Sequence, residues 1–327
     1  MPSTFTHSIF VLDVYDKFDE INRERLKNNI EELKLFAQGP DVFLFHDIAK
    51  LTRKKAVWIL GKTVHRNNTK DFFINVVSYI KKNKLENNYS VIAFLYGFIC
   101  HYVLDSTCHP FIIYKTGVYN KDNRESLKYI GMHDDMESAI DAYFIKNKLK
   151  IKARKYKPHN YISELKEFSP ELNKIIDYTF KETFEWDNVS KIYFKSYKRM
   201  KKLYKLYRYD PFKIKRTLYS FIDKITPKKI RDLKWISYNY DYKRKLHYLN
   251  LEKQKWNHPL DKNETYNYSF IELYVIACSK AVNIINEVNK VLYKKGSIKD
   301  LDKVFTNVSY SHGKNCNTKE KMQYFEF

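Results

Sequence analysis

Gly97-Phe98-Ile99-Cys100-His101-Tyr102-Val103-Leu104-Asp105-Ser106-Thr107-Cys108-His109-Pro110 closes the most apolar segment of the chain with three potential metal ligands. His101 and Asp105 are four residues apart, a spacing that stacks them on one face of a helix. Gly97 and Ala93 occupy the same face one and two turns earlier, and small residues there are expected to leave room for something bulky and polar. Proline disfavours helical backbone at the residue before it, so His109 is expected to follow a bend and point its ring back toward the same spot. A second pair, His133 and Glu137, is again four apart, within Gly131-Met132-His133-Asp134-Asp135-Met136-Glu137-Ser138-Ala139-Ile140-Asp141. Two His-x-x-x-carboxylate helices flanking a third histidine can make a closed cage of nitrogen and oxygen donors, a set that suits zinc.

The 327 residues suffice for a substantial core and for one large or two ordinary domains. A formal charge of +22 favours approach to anionic lipid, phosphate esters or nucleic acid. Abundant Lys, Asn, Ile, Tyr and Phe with scarce Ala, Gly and Pro would also follow from AT-rich coding. Residues 1–30 lack a charged start followed by an uninterrupted apolar run, so no cleavable signal is read there and the expected compartment is cytoplasmic. The longest apolar run, Val91 to Leu104, is shorter than the roughly 20 residues of a bilayer span and contains His101. It is expected as a buried helix, with no transmembrane segment. Cys100, Cys108, Cys278 and Cys316 have irregular spacing that fits neither a disulfide framework nor a thiolate zinc site. Cys108, beside His109, reads first as a buried thiol and second as a ligand.

Along the chain, Thr4 or Thr6 can cap a helix through about Phe18 that carries His7 in its first turn. A second helix is expected over Asn22–Phe36, stopped by Gly39-Pro40, with Asp41 on the corner that follows. His46 and Asp47 fall in an expected short helix, and Gly61 is expected to turn the chain toward His65. A helix over Lys70–Lys81 precedes the central apolar one. Five of the seven glycines, at 39, 61, 97, 117 and 131, adjoin these segments or the turns between them. Strand-like alternation is nearly absent, so residues 1–145 read as an all-α, multi-helix bundle that forms a metal-binding catalytic core. Residues 146–327 read as a Lys/Tyr-rich helical region packed on that core. Its helices are expected around Glu164–Phe184, Asn188–Tyr209 and Tyr266–Val291. Lys191, Lys195, Lys198, Arg199, Lys201, Lys202, Lys205 and Arg208 are expected to be exposed on the second of them, and the polar tail from about Asn307 is expected to be partly extended or mobile.

Six of the ten histidines precede residue 134. The series Thr6-His7, Gln38-Gly39-Pro40-Asp41, Gly61-x-x-x-His65, His101-Tyr102-x-x-Asp105, His109-Pro110 and His133-x-x-x-Glu137 resembles the zinc-dependent phospholipase C family. That family's all-helical architecture is shared with zinc-dependent single-strand nucleases. The resemblance covers roughly the first 140 residues and implies two or three zinc ions. Asp41, His65, His101 and Asp105 would hold one, and His109, His133 and Glu137 a second. His7, with Asp105 as a bridge, would contribute to a third. Asp41 would also be the catalytic base toward the attacking water. Secreted members place the amino group and carbonyl of an N-terminal Trp on the third zinc, whereas this chain begins Met1-Pro2-Ser3. The segment from Asp105 to His109 is also shorter than in toxin-like members. His46 reads first as a surface or supporting residue near Asp41 and second as a reserve ligand, and Asp141, one turn after Glu137, either as an acceptor for a ligand imidazole or as a solvated residue.

Clustered zinc ions activate water and neutralise phosphoryl oxygens, so the expected activity is phosphodiester hydrolysis of phospholipid headgroups, with peripheral contact to anionic membrane. A nuclease or nucleotidase could use the same cage, with the basic, tyrosine-rich half binding phosphates and stacking bases. A non-catalytic helical scaffold or membrane-surface protein with a structural zinc is the third reading.

Overall fold

The computed structural model describes residues 4–46, 55–120, 122–151, 155–205, 210, 212, 214–225 and 242–326. Its helices are α1 (Thr4–Asp16), α2 (Glu20–Leu26), α3 (Ile30–Phe36), α4 (Lys55–Arg66), α5 (Thr69–Lys82), α6 (Tyr89–Thr116), α7 (Met132–Asn147), α8 (Pro170–Phe184), α9 (Val189–Tyr204), α10 (Ile214–Ile225) and α11 (Phe270–Tyr293). A 3-10 segment, Gly39–Phe45, lies between α3 and α4. The fold is all-α, and among the described residues the one sheet is a hairpin of β1 (Trp256–His258) and β2 (Asp261–Tyr266). Trp256 pairs with Tyr266 and Asn257 with Thr265, and the register breaks at His258.

Asn88 accepts a hydrogen bond from the Val91 amide and starts α6. From Val91 to Asp105 every residue is buried, because α1, α3, α7 and α11 all pack on this helix. Each buried Val, Leu, Ile or Phe contributes on the order of 1.5–3 kcal/mol, enough to hold a few polar groups on the same helix out of water. By length and composition α6 could cross a membrane, but 89% of its most apolar window is buried within the protein. On the other side of the molecule, α8 and α9 close over α5 and the 3-10 segment. Phe36, Phe43, Phe72, Phe98, Phe180 and Tyr193 join there in an aromatic core.

Several elements differ from the sequence expectations. No bend precedes Pro110: α6 continues through it to Thr116. An interior proline deletes one N–H and crowds the carbonyl four residues back, and packing around Cys108, His109 and Phe111, all buried, overrides that local cost. Gly97 does not make room for a polar group. A Cβ there would stand 2.6–2.9 Å from Phe36 and Ala37 atoms, so the position serves close approach of α3.

The helix expected over Asn22–Phe36 is two. Asp19 caps α2 by accepting from Asn22 N at 2.8 Å, and Asn29 interrupts the chain by donating to Ser90 Oγ and Glu32 Oε1. Gly61 sits inside α4 instead of at a turn. The helix expected from Glu164 begins at Pro170, capped by Ser169, and α11 begins at Phe270 because Tyr266 ends β2. His46 ends the 3-10 segment. Asp47 and Arg208 lie outside the described residues.

Candidate metal centre

The uninterrupted course of α6 through Pro110 has a direct chemical result. His101, Asp105 and His109 stand on successive turns of one helix, and the Asp105 carboxylate faces imidazoles from three elements. His7 Nε2 of α1 lies 3.2 Å from Oδ1, and His101 Nε2 lies 3.2 Å from Oδ2. His109 Nδ1 and His65 Nε2, the latter from the last turn of α4, approach Oδ2 at 3.6 and 3.7 Å. Asp41, in the first turn of the 3-10 segment, meets His65 Nε2 at 3.2 Å. On α7, His133 Nε2 is 2.8 Å from Glu137 Oε1, and His109 Nε2 is 3.8 Å from the same oxygen.

Donor atoms thus gather in three groups: His7 with His101 and Asp105; Asp41 with His65 and His101; His109 with His133 and Glu137. All eight side chains singled out in the sequence fall in one of them. His46 and Cys108 fall in none. Burial pushes the Cys108 thiol well up, with Asp105 adding to it, which keeps it protonated.

Local structure orients the rings. His65 Nδ1 meets the Gly61 carbonyl at 2.7 Å, His101 Nδ1 the Ala37 carbonyl at 3.0 Å and His109 Nδ1 the Tyr310 carbonyl at 2.9 Å. A carbonyl can only accept, so each Nδ1 carries a proton, and in the neutral ring Nε2 is the lone-pair donor. This is how proteins fix metal-binding histidines. Gly39, at φ +49°, brings the 3-10 segment against the His101 ring, where a Cβ would fall 2.4 Å from the ring. Tyr193 of α9 donates to the Gly39 carbonyl at 2.9 Å and pins that corner.

A cation fits this arrangement. His101 Nε2, Asp105 Oδ2 and His7 Nδ1 are buried without a hydrogen-bond partner, which is costly for groups of this polarity. Two donors each ~2.0–2.1 Å from one tetrahedral ion stand roughly 3.3 Å apart, close to the 3.2 Å separations here. Electrostatics agree. Burial opposes ionisation of Asp105, yet the His109 and His101 imidazoles outweigh it and hold the carboxyl well below the usual range. Burial likewise opposes ionisation of Glu137 and is overcome by His133 and His109. Burial would lower His109, but Asp105 and Glu137 lift it to about 9.

Asp141 takes neither role expected of it. Its Oδ1 accepts from Thr6 N at 2.9 Å and Thr6 Oγ1 at 2.8 Å, so it anchors the first turn of α1, next to His7. Burial raises its carboxyl to about 8 against the pull of those donors.

The tail, expected to be partly extended or mobile, also buries Tyr310 completely, with the ring 5.4 Å from His65, 5.8 Å from His101 and 5.1 Å from Tyr102. In a chain with 28 tyrosines, one more in a polar stretch gives no contrast from which this could be read.

Fold and geometry together define an all-α protein built around a His/Asp/Glu cluster of metal-ligand chemistry. A family model described as zinc dependent phospholipase C matches residues 6–204, and the chain belongs to the zinc-dependent phospholipase C family. That membership supports a zinc-dependent, phospholipase C-like phosphodiesterase function. No curated protein and no solved structure matches the chain. The matched region includes all eight ligand candidates and ends before the hairpin, α11 and the tail.

Proposed function

We propose that the protein hydrolyses phospholipid headgroup esters, with His101, His65, Asp41 and Asp105 holding one zinc ion, and His109, His133 and Glu137 a second. His7 and Asp105 hold a third. The observation that carries this reading is the convergence of buried, unpartnered nitrogen and oxygen donors around Asp105. Bound zinc supplies acidification of water and neutralisation of charge on the phosphoryl oxygens.

The chain's own residues do the rest. Asp41, 3.2 Å from His65 Nε2, accepts the proton of the attacking water. Water oxygen bonds to phosphorus, the bond from phosphorus to the glycerol oxygen breaks, and the proton taken up by Asp41 passes to that oxygen, which leaves as the hydroxyl of the diglyceride while the headgroup keeps the phosphate. Thr6, His7, Asp105, His109, Glu137 and Phe270 are among the residues that line a small, mostly apolar cleft at the cluster.

Peripheral contact with an anionic membrane belongs to the same reading, and α10 favours it. Ile214, Leu218 and Phe221 share one face and are 68%, 55% and 62% exposed, with Phe212 82% exposed just before them. The sequence there reads Phe-Lys-Ile-Lys-Arg, the pairing of apolar and basic residues that binds anionic lipid surfaces.

Zinc-loaded protein is expected to cleave phosphatidylcholine and to leave single-stranded DNA and RNA intact. Strong nucleic-acid cleavage without lipid turnover would replace this reading with the nuclease one, and zinc-loaded protein inert on every phosphodiester would leave the scaffold reading.

A further inference from the structure

Residues 307–316 form a closed loop. Cys316 N donates to Asn307 O at 2.8 Å, Ser309 N to Lys314 O at 2.8 Å and Gly313 N to Ser309 O at 2.9 Å. Three parts of the molecule hold this loop. Thr69 Oγ1 at the start of α5 donates to Val308 O at 2.9 Å. His258 Nε2 of β1 meets His312 O at 3.0 Å, and Lys314 pairs with Glu264 of β2. On its inner side the loop reaches two ligand candidates. Tyr310 N donates to His65 O at 2.9 Å and Ser309 Oγ to the same carbonyl at 3.2 Å. The Tyr310 carbonyl accepts from His109 Nδ1 at 2.9 Å.

This last contact selects the His109 tautomer and turns Nε2 toward Glu137 and His133. Neither α6 nor α7 supplies it, and the segment lies outside the matched residues 6–204. The loop lies against α6 where Pro110 has left the Ser106 carbonyl without its helical donor. Gly313, at φ +67°, sits over that carbonyl, and a Cβ there would be 2.5 Å from Ser106 O and 3.1 Å from Pro110 Cγ. A side chain at 313 therefore collides with backbone and must displace the loop.

We infer that residues 307–316 act as a strap that completes the metal centre: the Tyr310 carbonyl positions His109, so metal binding at the His109, His133 and Glu137 group depends on the C-terminal tail. This rests on the metal reading above, and the test separates the two. Full-length wild type, Gly313→Ala, Ser309→Ala and His109→Gln are stripped of metal. Zinc titrations and cobalt(II) absorption spectra are then recorded, with melting of the metal-free proteins alongside.

Gly313→Ala is expected to bind one ion roughly 10–100-fold more weakly, the range for loss of a group that orients a ligand histidine. Its cobalt spectrum should shift toward that of His109→Gln, with the remaining binding unchanged. Ser309→Ala, which removes a hydroxyl without a collision, gives a smaller shift in the same direction and serves as the readout if Gly313→Ala does not fold. Wild-type affinity and spectrum in both variants would overturn the strap. So would a uniform weakening of every ion in step with a lower metal-free melting temperature, which is loss of packing alone. Wild type that binds no zinc or cobalt would overturn the metal reading itself, and the strap with it.

Discussion

Two helices of this protein, α6 and α9, carry polar residues at regular helical spacing and end in opposite environments. On α6 the rings of His101 and His109 and the carboxylate of Asp105 are buried and face polar atoms from α1, α4 and α7. On α9 the charges disperse. Lys191, Lys195, Lys202 and Lys205 are exposed, Lys201 is taken up by Glu164 at 2.6 Å, and Lys198 lies toward the Leu165 carbonyl at 3.4 Å. Spacing is similar on the two helices, so spacing alone does not mark a site. What differs is whether neighbouring elements aim further polar atoms at the same buried point, where leaving them unsatisfied is expensive. In water the same charges are screened and nearly free.

The contrast can be broken most directly at α6. His101→Ala removes a ring shared by two of the three donor groups. It is expected to weaken zinc binding by more than the ~100-fold that marks loss of a merely orienting group, and to abolish phosphodiesterase activity. Retained zinc in a metal-content assay would mean that α6 is no more a site than α9. A graded test lies at the rim. His133 has about a third of its side chain exposed, against none for His101, so His133→Ala should cost less affinity than His101→Ala and affect a single ion. Equal losses would show that burial does not rank these candidate ligands.

Asp141 sharpens the same point in the absence of metal. A free aspartate titrates near ~3.9, whereas burial holds Asp141 at about 8. The native state therefore keeps a proton that the unfolded chain has lost between roughly pH 4 and 8. This contribution to stability is whole below about pH 4 and disappears as pH rises through 8. Asp141→Asn retains an oxygen for Thr6 and should flatten that decline in melting temperature measured with chelator present. Asp141→Ala loses the cap of α1 and should cost on the order of 0.5–2 kcal/mol. The smallest effect is expected on α9: Lys195→Ala should change stability by no more than about 0.5 kcal/mol and leave zinc binding untouched, as judged by melting and titration.

The residues of the candidate centre were legible because their chemistry and spacing are local properties. His101 with Asp105, and His133 with Glu137, sit four apart whatever the rest of the chain does, and a resemblance to a known family tied them to Asp41, His65 and His7. Local rules failed where packing outweighed them. Pro110 argues for a bend, and the buried surroundings of α6 keep the helix going. Gly97 suggests space, and Phe36 fills it. Asp141 shows no partner in sequence, because Thr6 lies 135 positions away. Tyr310 is further still, 201 residues from the histidine it orients.

By itself the sequence determined the all-α class, the buried central helix and the identity of the groups able to bind a cation, since helical periodicity, apolar runs and side-chain chemistry are written residue by residue. Only the tertiary structure decided how those groups meet and what holds them. The Tyr310 carbonyl that turns His109, the Asp141 carboxylate that fixes α1 and the contact of Gly313 with Ser106 join distant segments, and a backbone carbonyl is the same atom in every residue until the fold places it.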